Sequence, residues 1–231
     1  LIIKIPICWL RFQKDLGQPC QVSMSERYQN RNNSLPEDGR LPTIGVLAIQ
    51  GDFIEHRRML DAIGTESKEI RLPKQLEGID GLIIPGGEST TIVQLIDIYG
   101  FRNPLRKQVK DGLAVWGTCA GMIVLARKLL DKRPEPLGLM DIEVSRNAFG
   151  RQIDSFETSL DVSGIPGPPI HALFIRAPLV TNVGANVQIL AQVDGDKPVA
   201  VREGNLLATA FHPELTNDTR VHKFFSDIAS A

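Results

Sequence analysis

From Thr43 onward the sequence repeats one pattern: a short run of β-branched and aliphatic residues, a turn, then apolar residues at helical spacing. "TIGVLAIQG" is followed by "FIEHRRMLDAIG", where Phe53 or Ile54, His56 or Arg57, Leu60 and Ile63 share a helical face and Gly64 closes the helix. A second strand is expected at Glu66 to Leu72. "GLIIPGG" then leads into the helix "STTIVQLIDIYG", with Ser89 or Thr90 as its cap, and "LAVWGT" into a helix over "AGMIVLARKLL". This alternation predicts βαβ units around a mostly parallel sheet, hence an α/β fold. Later runs, "FETSLDV", "HALFIRAP", "VQILAQVD", "PVAVREG" and "NLLATAFH", read as strands punctuated by turns such as "SGIPGPP". A final helix carries Val221, Phe224, Phe225 and Ile228 on one face. His222 lies off that stripe and reads as a surface residue, and His56 as a solvated or partly packed one.

Residues 42–231 are expected to form a single domain, since one core is the default at a total length of 231 residues. Residues 1–41 read differently. "LIIKIPICWL" is too short to cross a bilayer, and "RYQNRNNSLPEDGR" has no apolar period, so this part is expected to be a flexible extension; a targeting or packing segment is the alternative. Met24 is a candidate natural start. A net charge of −1 with no dense Lys/Arg run argues against a nucleic-acid partner. Three scattered cysteines, Cys8, Cys20 and Cys119, form neither a disulfide framework nor a zinc site, which suits a reducing cytoplasm.

In "VWGTCAG", Gly117, Thr118, Cys119, Ala120 and Gly121 fit a nucleophile elbow: a strand turns sharply into a helix, glycines leave room for the bend, and the central side chain is presented. The helix that starts after Cys119 aims its N–H groups at the sulfur, favouring a thiolate. A nucleophile needs a base. In "ATAFHPEL", His212 and Glu214 are two apart at a strand end, where a two-residue period points both side chains one way and lets the acid fix the imidazole tautomer. The order nucleophile, His, Glu differs from that of the α/β-hydrolases. "IIPGGEST" places glycines at another strand end, where Gly87 is positioned to supply an oxyanion donor and Glu88 or Ser89 to contact a polar substrate; it lacks the Lys-Ser/Thr ending of a phosphate loop.

Together these elements resemble the class I, triad-type glutamine amidotransferases. "GVLAIQGDFIEH", "LIIPGGEST", "VWGTCAG", "RNAFGRQIDSFE", "FIRAP" and "ATAFHPELTNDTRVHKFF" are similar, in that order, to the glutaminase subunits of pyridoxal 5′-phosphate synthase. The resemblance implies a flavodoxin-like three-layer sandwich. It implies that Cys119 attacks the glutamine carboxamide, that His212 shuttles the proton, that Glu214 orients His212, and that the amides of Gly87 and Ala120 form the oxyanion hole. Glutamine would be held by Gly87, Glu88, Ser89, Arg146, Ile175 and Arg176; a guanidinium near a free amino acid suits its α-carboxylate. Ammonia would pass to a (β/α)8 synthase partner whose docking activates the glutaminase, with Gln50, Gly51 and Asp52 at the interface, and no cofactor or metal is implied. Asp52 and the N-terminal extension depart from the family's pattern. Two other functions fit the residues: a silent docking protein, and a cysteine peptidase or different amidotransferase.

Overall fold

A computed structural model of the chain describes residues 40–131, 133–146 and 155–231. The extension expected at 1–41, with Cys8 and Cys20, lies outside them apart from its last two residues, as do positions 147–154 of the "RNAFGRQIDSFE" segment.

Five strands build the parallel part of the main sheet: β1 (Thr43–Leu47), β2 (Glu66–Ile70), β3 (Gly81–Ile84), β4 (Ala114–Thr118) and, much later, β12 (Leu206–Thr209). They lie in the order β12-β4-β3-β1-β2. The last strands before β12, β10 (Gln188–Val193) and β11 (Lys197–Glu203), add antiparallel at one edge and complete a seven-stranded mixed sheet. Strands β1, β3, β4 and β12 are buried along their whole length, as strands covered on both faces must be, while β2 forms the other edge and is partly exposed.

The covering helices follow from the pleat. On β4, Trp116 and Thr118 point to the face occupied by α1 (Phe53–Ala62) and the C-terminal helix α5 (Arg220–Ala229), whose His56 and Phe225 they meet. Gly117 points to the other face, against α4 (Ala120–Leu125), which packs on α2 (Ser89–Ile98). The expected three-layer α/β architecture is present. A further helix, α3 (Arg102–Lys110), goes beyond the sequence expectation: Leu105 is its one fully buried side chain, so it carries almost no apolar stripe. Two small sheets flank the main one: β5 (Ala126–Leu129), β6 (Met140–Ser145) and β9 (Leu179–Val183) in one, and the hairpin of β7 (Ser155–Leu160) with β8 (Ile170–Ile175) in the other.

Two local expectations change. The helix read through "AGMIVLARKLL" stops at Leu125, because the carbonyls of Val124, Leu125 and Ala126 are taken by the amides of Leu137, Leu139 and Gly138 at 2.8–3.0 Å. "ARKL" becomes a strand whose Arg127 pairs with Asp141 across β6. The cap of α2 is neither Ser89 nor Thr90 but Glu88, whose carboxylate accepts from the amides of Thr90 (3.0 Å) and Thr91 (2.6 Å) and from the Thr91 hydroxyl. Burial works against its charge, but these hydrogen bonds prevail and hold the Glu88 carboxyl down to about 2.

Candidate active site

Adjacent parallel strands deliver adjacent loops at their C-terminal ends, where α/β sheets bind ligands. Here β3 leads into Gly86 and Gly87, β4 into Cys119, and the chain leaving β12 reaches His212; the three strands are neighbours, so motifs about 30 to 125 residues apart in sequence converge. The loop after β1 joins them through the Asp52 amide, which donates to the Gly86 carbonyl at 3.2 Å.

Cys119 has φ 47 and ψ −103, a conformation that a side chain bearing Cβ rarely adopts, at the junction of β4 and α4. Its amide donates to the Thr209 carbonyl of β12 at 2.8 Å, pinning the bend, and Cys119 is the free cysteine among the described residues. The elbow's glycines are required by close approach. A Cβ on Gly117 would overlap the Gly121 backbone, and one on Gly121 would overlap the Ile84 carbonyl oxygen of β3. Because those neighbours are main chain and cannot swing away, Gly121→Ala is expected to destabilise the fold by about 3 kcal/mol, at the top of the overpacking range. Thermal unfolding would show a fall in Tm of roughly 6 to 12 °C.

The thiol is 7% exposed and lies 3.8 Å from the Ile175 carbonyl, at the end of β8. His212 interacts with it. The expected strand-end geometry of His212 and Glu214 is replaced by a turn. β12 ends at Thr209, Pro213 fixes φ and lacks an N–H, and a 3-10 turn over Pro213–Leu215 folds Glu214 back to its imidazole. His212 Nδ1 donates to Glu214 Oε1 at 2.7 Å, which leaves Nε2 as the ring atom free to serve the sulfur. Burial is the largest single influence on the ring and opposes its charge. The contacts with Cys119 and Glu214 together outweigh it and raise His212 to about 10. Burial pushes the Glu214 carboxyl up, against the opposing pull of His212. A Cβ on Gly86 would stand 2.5 Å from His212 Cε1, so the glycine loop after β3 seats the imidazole.

The sequence profile of the SNO glutamine amidotransferase family matches residues 46–230. The chain belongs to this family. A curated relative from Frankia alni, named pyridoxal 5′-phosphate synthase subunit PdxT, is 56% identical over 189 residues, covering 81% of this chain and 94% of that protein. A protein of the same name from Salinispora tropica is 53% identical over 196 residues, covering 82% and 98%. Among solved structures, one of a glutamine amidotransferase is 49% identical, with a TM-score of 0.77 over 81% of this chain and 99% of that one. A putative GMP synthase protein from Thermoplasma acidophilum shares the fold alone, at 19% identity and a TM-score of 0.59, over 83% of this chain and 95% of that one.

In this member of the SNO family the remaining sequence-derived residues come from four segments of the chain. Ala120 opens α4 directly after Cys119. Arg146 reaches the first turn of α2, with Nη1 3.5 Å from Ser89 Oγ and 3.3 Å from Thr90 Oγ1, and Nε 3.7 Å from Asp131 Oδ2. Ile175 approaches through its backbone, and Arg176, exposed and with φ 45, follows it. The Glu88 carboxylate is committed to capping α2 and is not free for a ligand; the Glu88 amide donates to Gln50 Oε1 at 3.0 Å, and the Gln50 amide packs where a Cβ on Gly87 would stand. Gln50 and Asp52 thus sit over the loop expected to stabilise an oxyanion, with Asp52 Oδ2 3.9 Å from His212 Nδ1.

Two histidine assignments are overturned. His56 and His222 are neither solvated nor on the surface: both are 0% exposed, against Trp116 and each other, behind Glu214. A narrow helical stripe hid this. The buried face of α5 is broader, taking in His222 and Ser226 with Val221, Phe225 and Ile228, and on α1 His56 stands at i, i+3 and i+4 to the buried Met59 and Leu60.

Proposed function

We propose that this chain is the glutaminase subunit of a pyridoxal 5′-phosphate synthase, hydrolysing glutamine to glutamate and ammonia through Cys119, His212 and Glu214. The observation that carries this reading is a strained cysteine at a strand-to-helix bend facing an imidazole that donates to a buried carboxylate, in a chain 56% identical to a protein named as that subunit. Cys119 gives its thiol proton to His212 and its Sγ attacks the carboxamide carbon, forming a C–S bond as the C=O π pair moves onto the oxygen. The tetrahedral adduct collapses as the C–N bond breaks, and His212 gives the departing nitrogen its proton, leaving a γ-glutamyl thioester and ammonia. Water then loses a proton to His212 and attacks the thioester; the C–S bond breaks, glutamate leaves and the thiol is restored. Glu214 holds the ring in the tautomer that both steps need.

The amides of Gly87 and Ala120 are the proposed oxyanion donors, and Gly87, Glu88, Ser89, Arg146, Ile175 and Arg176 the proposed glutamine contacts. Glu88 contributes only its backbone, since its carboxylate is occupied. Ammonia is proposed to pass to a (β/α)8 synthase partner docked near Gln50, Gly51 and Asp52. Residues 42–231 are taken as one glutaminase domain preceded by an extension at 1–41, working in the cytoplasm, where a reduced thiol persists. Among the described residues no helix is long and apolar enough to cross a membrane.

The test mixes the purified chain with its synthase partner and glutamine and follows glutamate. Glutamate formation that disappears in Cys119→Ala supports the reading; none in the wild type overturns it. For Arg146, which supplies ground-state grip on a carboxylate, Arg146→Ala is expected to raise KM by roughly 10- to 100-fold with kcat changed far less. Steady-state kinetics in the complex check this.

A further inference from the structure

On the far side of Glu214 from Cys119, a second polar chain runs into the core. Glu214 Oε2, the oxygen that His212 does not use, is buried without a hydrogen bond and lies 3.6 Å from His56 Nε2. That nitrogen is also 3.1 Å from Thr118 Oγ1, on the residue before the nucleophile. His56 Nδ1 lies 3.0 Å from His222 Nε2, and His222 Nδ1 is again buried without a hydrogen bond. Trp116 packs edge-on to both rings, with centroids 5.4 and 4.9 Å away.

The tautomers follow by elimination. Burial keeps both rings neutral: it drives His56 well below the ordinary value, with His222 and His212 adding to the effect, and His222 to about 3. Each ring therefore carries one N–H, and the edge between His56 Nδ1 and His222 Nε2 accommodates a single proton. If His56 supplied it, a bare nitrogen lone pair would face the Glu214 carboxylate, and the His222 N–H would be buried at Nδ1 with no acceptor. If His222 supplies it, His56 Nε2–H points at Thr118 Oγ1 and Glu214 Oε2, and the one group left over is an unprotonated nitrogen. The second arrangement has one fault where the first has two, and buried orphan N–H groups are the rarer kind.

We infer that His56, fixed in its Nε2–H tautomer by His222, is a positioning residue that steadies the outer oxygen of Glu214 and so keeps the inner oxygen on His212. At 3.6 Å the contact is that of an N–H dipole with a carboxylate rather than a full hydrogen bond. A neutral donor suits the place. It favours the carboxylate without competing for the charge that His212 must carry, and it rests on a rigid aromatic wall. The titratable groups facing His56 are His222 from α5, and His212 and Glu214 from the segment after β12.

The kinetic part of the test rests on the glutaminase reading; the spectroscopic part does not. The full chain, labelled with nitrogen-15 histidine, is compared as wild type, His56→Leu and His56→Gln, the last restoring an N–H near the position of Nε2. NMR follows the titration of the His212 ring, and kcat and KM for glutamine are measured with the synthase partner. His56→Leu is expected to lower kcat roughly 10- to 100-fold with KM little changed and to shift the His212 titration to lower pH, with His56→Gln recovering most of both. A His212 titration unmoved in His56→Leu, or an equal loss in His56→Gln and His56→Leu at matched thermal stability, overturns the inference. If the wild type makes no glutamate, the glutaminase reading fails, and the His212 titration alone decides the positioning role. Should His56→Leu not fold, His222→Leu and His222→Gln give the same comparison one residue further out: a shifted His212 titration rescued by glutamine supports the inference, and an unmoved one overturns it.

Discussion

Glutaminase activity falls by about four orders of magnitude or more when Cys119 is replaced by alanine, because no other described side chain near the site can form the acyl intermediate. His212, which interacts with the sulfur, is held by its hydrogen bond to Glu214, and the Asp52 carboxyl lies 3.9 Å from the His212 ring rather than being offered to substrate in Cys119's place. The fold should survive the change. Alanine has nearly the same backbone preferences as cysteine, so the strain at φ 47 is unaltered, and the amide bond to the Thr209 carbonyl does not involve the side chain. Glutamate release by Cys119→Ala in complex with the synthase partner, with circular dichroism confirming the fold, measures the effect.

Glu214→Gln is the second large expectation, a loss of roughly 10³- to 10⁴-fold in kcat with KM nearly unchanged. The side chain is fully buried and Oε1 stands 2.7 Å from His212 Nδ1, so the amide occupies the same space. Its nitrogen, if turned toward the ring, donates where a donor already points, and the imidazole is driven to the opposite tautomer with its lone pair aimed away from Cys119. The second consequence is visible in stability. His212 is raised from the ordinary 6.5 to about 10, so the protonated ring contributes stability that is full below about pH 6.5 and is lost as pH rises through about 10. Without the carboxylate, the folded-state value drops toward the ordinary one, so the contribution is smaller and its loss is complete at lower pH. Denaturant titrations between about pH 6 and 10.5 would show the wild-type advantage over Glu214→Gln shrinking as the pH climbs.

The order of most strands and helices is legible in the sequence because it rests on local signals: buried aliphatic runs, glycine turns and helical spacing recur from Thr43 to Gly100 and resume at Leu113. What escapes depends on partners distant in sequence. "ARKL" looks helical by itself and becomes a strand because residues 137–139 take the carbonyls of the preceding turn. α3 carries too few buried residues to show a period. Cys119, His212 and Glu214 are each marked by their surroundings in sequence, and the adjacency of β4 and β12 brings their loops together. The buried His56 and His222 mislead for the same reason in reverse. Histidine on a mixed helix face gives no sign of whether solvent or a second histidine lies beyond it, and only the packing of α1 against α5 decides. Glu88 reads as a substrate contact in the motif, whereas its carboxylate caps α2, a use determined by two threonine amides that no motif displays.

The central claim is that the Cys119 sulfur is a nucleophile presented to glutamine. It is tested most directly by intact-protein and peptide mass spectrometry after exposing the chain, bound to its synthase partner, to an electrophilic glutamine analogue. A single adduct on Cys119, slowed by excess glutamine and lost in His212→Gln, is the predicted result. An unmodified Cys119 in a complex that still releases glutamate, or labelling indifferent to glutamine and to His212, would contradict it.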